Sequence, residues 1–177
     1  GGTNMRSISS HIYKLSDDDL KNAKTRLDTI RSRWWFSKNI TIRESQYGPV
    51  LTDSPFFEDN EFPVAVDWLG HKPSYELTAF LRANKATNFE EFRKAFEHYA
   101  VSGQNMLYAD NEGNIGQILA YQQPVLKEPG KTLELVKSTD NPIVGVLTPL
   151  QLPYSYNPEK GFIASANNMP FKPAIPI

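Results

Sequence analysis

Two adjacent carboxamides, Asn167 and Asn168, follow the small and apolar run Gly161-Phe162-Ile163-Ala164-Ser165-Ala166. An amide taken out of water without partners costs roughly a few kcal/mol. Such a pair is therefore either hydrogen-bonded within the fold or held ready for a ligand. The remaining chemistry-bearing residues form no complete set. Asp110, Glu112 and Asn114 alternate like calcium ligands, but a calcium loop takes glycine at its sixth position and glutamate at its twelfth. Here the glycine, Gly113, is fourth and Tyr121 is twelfth, so a tight hairpin turn accounts better for the stretch. His11, His71 and His98 are scattered and lack metal-binding spacing. No G-x-S-x-G elbow presents a serine and no glycine-rich phosphate cradle occurs. The absence of cysteine excludes a thiolate nucleophile, thiolate metal sites and disulfides.

The elements that must position the asparagines read as α+β, with antiparallel strands, hairpins and packed helices. Residues 16–34 read as a helix capped by Ser16, with Asp17, Asp18 and Asp19 in its first turn, where the helix dipole favours negative charge. Leu20, Ala23, Leu27, Ile30 and Trp34 then make one apolar stripe facing a core or a partner. Lys38 to Thr52 reads as a hairpin broken at Gly48-Pro49, and residues 53–63 as a loop. A helix from Tyr75 to Ala83 carries Leu77, Phe80 and Leu81. The next begins at Asn88, with Glu91 at capping-box spacing, and presents Phe89, Phe92, Phe96 and Tyr99 to the core. Strands at Asn105–Ala109 and Ile115–Tyr121 flank the Asp110–Asn114 turn. Residues 123–145 read as a surface crossing, Pro149 to Pro158 as irregular, and Phe162 to Ala166 as a last strand.

The 177 residues suit one domain over 16–177 after an irregular start at 1–15, where Gly1-Gly2 resembles a tag remnant. At 40% hydrophobic and 22% charged the chain can build a core. A net charge of −1 gives no electrostatic case for nucleic acid or for an anionic membrane surface, and neither is expected as a partner. No apolar run is long enough to span a membrane. The start has no apolar core of a signal peptide, and the closing PFKPAIPI reads as a cut end or a surface strand.

Further information lies in Gln104-Asn105-Met106-Leu107-Tyr108-Ala109-Asp110-Asn111-Glu112-Gly113-Asn114-Ile115-Gly116. This stretch resembles the QN-x-x-YAD-x-x-GNIG hairpin of the penicillin acylase (penicillin amidase) family of N-terminal-nucleophile hydrolases. Other pieces follow in the same order. Arg43 to Val50 resembles the family's R-x-x-x-HGPV segment, with Tyr47 where the family has histidine. Trp68, Glu76 to Ala86 and Asn88 to Ala95 resemble its helical stretch. Leu152-Pro153, then Asn157-Pro158-x-x-Gly161-Phe162-Ile163-Ala164 and Ala166-Asn167-Asn168, are similar to its closing motif. The likeness runs from about residue 40 to 170.

The resemblance implies an αββα architecture and an amide hydrolase that works through an acyl-enzyme. Its nucleophile is a serine exposed by autocatalytic cleavage as the first residue of the β chain, with its own α-amine, of pKa about 8, as base. Asn167 matches the family's oxyanion asparagine. Phe56, Phe57 and Phe162 are candidates for an apolar acyl site, with ordinary packing as the alternative. This chain opens Gly-Gly-Thr and shows no Ser-Asn-x-x-Trp start, and after the hairpin it has Tyr121 and Pro124-Val125-Leu126 in place of a glycine and Pro-x-Arg. The resemblance therefore implies an internal piece of a β chain, inactive alone. Its expected partners are the α chain, the nucleophile-bearing β-chain start and an acylated amine or β-lactam substrate. No cofactor is expected on this piece, calcium belonging to the parent, and the parent is expected to be periplasmic or secreted. The alternative is a non-catalytic binding or structural module descended from the fold.

Overall fold

Pairing between segments distant in sequence, more than local propensity, decides which stretches become strands. A computed structural model describes residues 10–57, 62–101, 103–128, 136–138 and 142–166. In chain order the elements are β1 (Ser10–Lys14), α1 (Asp17–Lys21), β2 (Lys24–Ile30), β3 (Lys38–Ser45), β4 (Gly48–Pro49), β5 (Val64–Trp68), α2 (Glu76–Ala83), α3 (Phe89–Ala95), β6 (Gln104–Ala109), β7 (Ile115–Ala120), β8 (Gln123–Leu126), β9 (Val136–Ser138), β10 (Ile143–Leu147) and β11 (Tyr154–Tyr156). They fall into two compact units, one from the described part of Ser10–Trp68 and Leu133–Pro142, the other from the described part of Leu69–Thr132 and Ile143–Ile177.

In the first unit β1 pairs antiparallel with β5 and parallel with β9, so that Tyr13 lies opposite both Ala65 and Lys137. Tyr13 and Ala65 have no exposed surface, and Leu15, Val50 and Ala65 form a small core against which Leu20 and Tyr47 pack. The rings of Tyr13 and Tyr47 lie 4.9 Å apart. Position 48 admits only glycine. Its φ is +112°, and a Cβ there would lie 2.2 Å from the Val66 carbonyl oxygen. Arg43 grips Asp53 as a fork, its Nε 2.9 and 3.1 Å from the two carboxylate oxygens, which ties β3 to the turn after β4. β2 and β3 form a hairpin in register from Lys24↔Glu44 to Ile30↔Lys38.

In the second unit α2 and α3 cover the sheet β11-β7-β6. The core is Ala79, Phe89, Ala95, Phe96, Tyr99, Ile118 and Ala120. Burying each large apolar side chain contributes about 1.5–3 kcal/mol. Asn88 caps α3 by accepting the Glu91 N–H at 2.9 Å, while the Glu91 carboxylate accepts the Thr87 N–H and hydroxyl. At the start of α2 the Glu76 carboxylate accepts the N–H groups of Ala100 and Val101, each at 3.1 Å, and the Ser74 hydroxyl. Burial pushes this carboxyl up, but the hydrogen bonds from Ser74, Val101 and Ala100 outweigh it and hold the group below its ordinary range. Glu76 thus ties the turn after α3 back to α2.

Several expectations are corrected. Residues 16–34 are not one helix: α1 ends at Lys21 and residues 24–30 are β2. Thr25, Thr29 and Ile30 are β-branched and fit a strand, and the ladder with β3 overrides the helical spacing. Leu27, Ile30 and Trp34 are accordingly exposed at 75%, 53% and 85% rather than buried in a stripe. Residues 10–14 of the expected irregular start are β1, made by partners far along the chain. The stretch 123–145 contains β8 and most of β10, which pair antiparallel. Pro149 to Pro158 contains β11, antiparallel to β7. Phe162 to Ala166 is irregular and mostly exposed, not a buried strand. Asn157 at φ 45° and Gly161 at φ 72° turn the chain after β11, and the place beside β7 is already taken. The helix at 76–83, the helix capped by Asn88, the 105–121 hairpin and the α+β class are as expected, except that α3 ends at Ala95, so that Phe96 and Tyr99 join the core from beyond it.

The second unit depends on a bare backbone at Gly116, where a Cβ would lie 2.2 Å from the Phe89 ring. Gly116→Ala is expected to lower stability by about 1–3 kcal/mol through overpacking, read as a shift of the urea midpoint. Adding Phe89→Leu should recover part of that loss. An unchanged midpoint for Gly116→Ala would contradict this packing.

Candidate functional site

Asn167, the sequence candidate for chemistry, lies outside the described residues, as does Asn168. The structure describes the segment that leads to them and how that segment is rooted. The root begins in the turn between β6 and β7. The Asp110 carboxylate closes this turn from within: Oδ1 accepts the N–H groups of Glu112 at 3.0 Å and Asn114 at 2.9 Å, and Oδ2 accepts the Tyr108 hydroxyl at 2.9 Å and the Asn114 carboxamide at 2.8 Å. Gly113 at φ 87° completes the turn. These bonds engage both carboxylate oxygens in the turn, in line with the hairpin reading of the sequence. Among the described residues no group of three or more His, Asp or Glu could hold a metal ion.

Asn157, just past β11, connects this turn to the return of the chain. Its Oδ1 accepts the Ile115 N–H at 2.9 Å, its Nδ2 donates to Asn114 Oδ1 at 2.8 Å, and its own N–H donates to the Ile115 carbonyl at 2.9 Å. One side chain thus satisfies the first N–H of β7 and links to the residue that closes on Asp110. Its φ of 45° lies in the left-handed region, where asparagine is better tolerated than most residues. Pro158 and Gly161 follow, with the Gly161 N–H donating to the Pro158 carbonyl at 2.8 Å. From there the chain runs through 162–166 toward Asn167.

Aromatic packing holds the same frame from behind. The Phe89 ring stacks on Tyr156 at 4.5 Å and 16°, and meets Tyr108 edge-on at 5.4 Å. The Arg93 guanidinium lies 3.9 Å from the Tyr154 ring centroid and donates to the Leu150 carbonyl at 2.9 Å. Both aromatic residues of β11 are therefore clamped to α3. In the sequence Asn114 stands out only by its calcium-like alternation and its motif, and Asn157 only as a motif letter, and neither signals their bond. An asparagine before proline, directly after alternating tyrosines, was the signal available.

The other candidates are placed as follows. Phe56 and Phe57 stand in a short 3₁₀ turn of the first unit, 92% and 40% exposed. Phe162 belongs to the second unit and is 58% exposed, with the Lys160 ammonium 4.9 Å from its ring centroid. Exposure at Phe56 leaves its ring outside the core.

The turn network has a charge signature. The side-chain hydrogen bond from Asn114 is the main cause holding the Asp110 carboxyl below its usual range, against an opposing desolvation and with help from the Asn114 N–H, Tyr108 and the Glu112 N–H. Desolvation, then the bond to Asp110, pushes the Tyr108 hydroxyl up to about 12. A carboxyl lowered by folding contributes stability that is full above its unfolded pKa, near 3.9, and is lost as pH falls through the lower folded value. Asp110→Asn is therefore expected to be less stable than the unaltered chain at neutral pH, with the difference shrinking as pH falls below about 4. Other carboxylates cancel in that difference. Urea midpoints for the two proteins across this range check it, and parallel profiles would contradict it.

A thermostable penicillin G acylase from Alcaligenes faecalis has a similar fold, with a TM-score of 0.69 at 23% sequence identity. The similarity covers 94% of this chain and 31% of the acylase chain, so the chain spans about a third of that relative's length. The family model described as penicillin amidase matches residues 6–177. That span takes in the Arg43–Val50 segment, the hairpin closed by Asp110 and the return through Asn157. The chain belongs to the penicillin amidase family.

Proposed function

We propose that this chain is part of an amide hydrolase in which Asn167 supplies one of the two N–H donors to the tetrahedral oxyanion. The observation that supports this reading is the family match across 6–177, which includes Asn167. The span of 31% of the acylase chain supports a second point, that the nucleophile belongs to a further part of the protein. That nucleophile is a serine at the start of a processed chain. Its Oγ attacks the amide carbonyl, its α-amine takes the proton and passes it to the departing amine, and water then hydrolyses the acyl-enzyme. The oxyanion formed in each half-reaction needs donors already in place, because reorganising them during the step would cost part of the stabilisation. The segment rooted by Asn157 leads to the residue that carries one of them.

Phe56, Phe57 and Phe162 are each proposed as candidates for acyl contact, and the exposed ring of Phe56 argues against core packing at that position. The substrate class is an acylated amine or a β-lactam side-chain amide. The expected partners are the rest of the parent acylase, with any calcium held on residues outside this chain. A periplasmic or secreted location follows from the family reading, and among the described residues no helix is long and apolar enough to cross a membrane.

In the full-length protein, Asn167→Ala is expected to lower kcat by about a hundredfold to a thousandfold while its thermal unfolding stays close to that of the unaltered enzyme. A KM that moves little alongside that loss would mark an interaction made in the transition state. A nearly unchanged kcat removes Asn167 from the mechanism. The 177-residue chain alone is expected neither to turn over an amide nor to take up a phenylmethylsulfonyl label.

A further inference from the structure

The loop joining β2 to β3 reads Arg31-Ser32-Arg33-Trp34-Trp35-Phe36-Ser37. Trp34, Trp35 and Phe36 are 85%, 81% and 87% exposed. Single exposed apolar residues need no explanation, but adjacent exposed aromatics form a patch that marks an interaction site. They sit at the tip of a regular stalk, in register down to Lys24↔Glu44 and braced near its end by the Thr29 hydroxyl, 2.9 Å from Asn39 Oδ1. The stalk holds the tip in one place, and the tip has no role in the core.

The charge around these rings has one sign. No Asp or Glu occurs from Thr29 to Arg43, while Arg31, Arg33 and Lys38 stand beside the aromatics. Arg43 is engaged by Asp53 and does not count. Among the described residues Arg31, Arg33 and Lys38 enter no ion pair with a carboxylate, and the Arg33 guanidinium lies 5.4 Å from the Trp34 ring centroid. The whole-chain charge of −1 averages over this segment and hides it.

We propose that this hairpin tip docks on an anionic phospholipid surface. Indole and phenyl rings settle at the boundary between headgroups and acyl chains, and the flanking cations meet the lipid phosphates. A second copy of the chain is disfavoured, because tip-to-tip contact would bring together Arg31, Arg33 and Lys38 of both copies. The proposal does not use Asn167, and the full-length protein in its test keeps the rest of the parent acylase present as a competing cover for the tip.

Co-sedimentation of the full-length protein with vesicles tests it. Binding is expected to mixed phosphatidylcholine–phosphatidylglycerol vesicles, to weaken with added salt, and to be slight on phosphatidylcholine alone. The combined Trp34→Ala, Trp35→Ala and Phe36→Ala variant should lose binding while keeping its circular dichroism spectrum and thermal unfolding. Changing Arg31, Arg33 and Lys38 to Gln should weaken binding roughly fivefold per cation removed. Equal binding by these variants, or none by the unaltered protein, overturns the proposal. A tip-dependent dimer in sedimentation velocity without lipid overturns it in favour of a second copy. Tip-dependent retention by another protein with no vesicle binding overturns it in favour of a protein partner.

Discussion

The carboxamide of Asn157 is the constraint on which the described part of the candidate site depends. It satisfies the first N–H of β7 and donates to Asn114, whose own groups close on Asp110. The hairpin turn, the end of β11 and the start of the approach to Asn167 are thereby one hydrogen-bonded unit. Each member is a short polar residue on a turn, where such side chains bond to nearby backbone readily. The family motifs over this region read mostly as scaffold: Asp110 and Asn157 hold turn backbone, and Tyr108 and Asn114 are bonded to their side chains.

The apolar part of the second unit makes the polar part possible. Phe89 occupies the space above Gly116 and stacks on Tyr156, so the face of the hairpin and the return strand share one ring. Arg93 clamps Tyr154 and the Leu150 carbonyl from the same helix. An aromatic stripe that looked like plain core is therefore also what sets the path of β11. In the first unit the corresponding close approach is Gly48 against the Val66 carbonyl, and the Arg43–Asp53 fork fixes the turn beside it.

What could be read from the chain beforehand follows from which interactions are local. α3 was legible because its cap and aromatic stripe lie within one short segment, and the β6–β7 hairpin because its turn chemistry sits between alternating residues. β1, β8, β10 and β11 have partners fixed only by the fold, and β1 lies beside residues fifty or more positions away. The helix expected over 16–34 failed because spacings of three and four in Leu20 to Trp34 also fit a short capped helix followed by a strand of β-branched residues. The strand expected at 162–166 failed because small apolar residues mark extended chain without saying whether a neighbour is available. Only family likeness singles out Asn167, and only residue type singles out Phe56, Phe57 and Phe162. The bond between Asn114 and Asn157, 43 positions apart, was beyond any local pattern.

The proposed enzyme stands or falls with a nucleophile that is a processed N-terminal serine. N-terminal sequencing of the mature full-length protein tests it most directly. The expected result is two chains, one of them containing residues 10–166 and beginning, upstream of them, with serine followed by asparagine. A single unprocessed chain, or a processed one whose first residue carries no nucleophilic side chain, would contradict it.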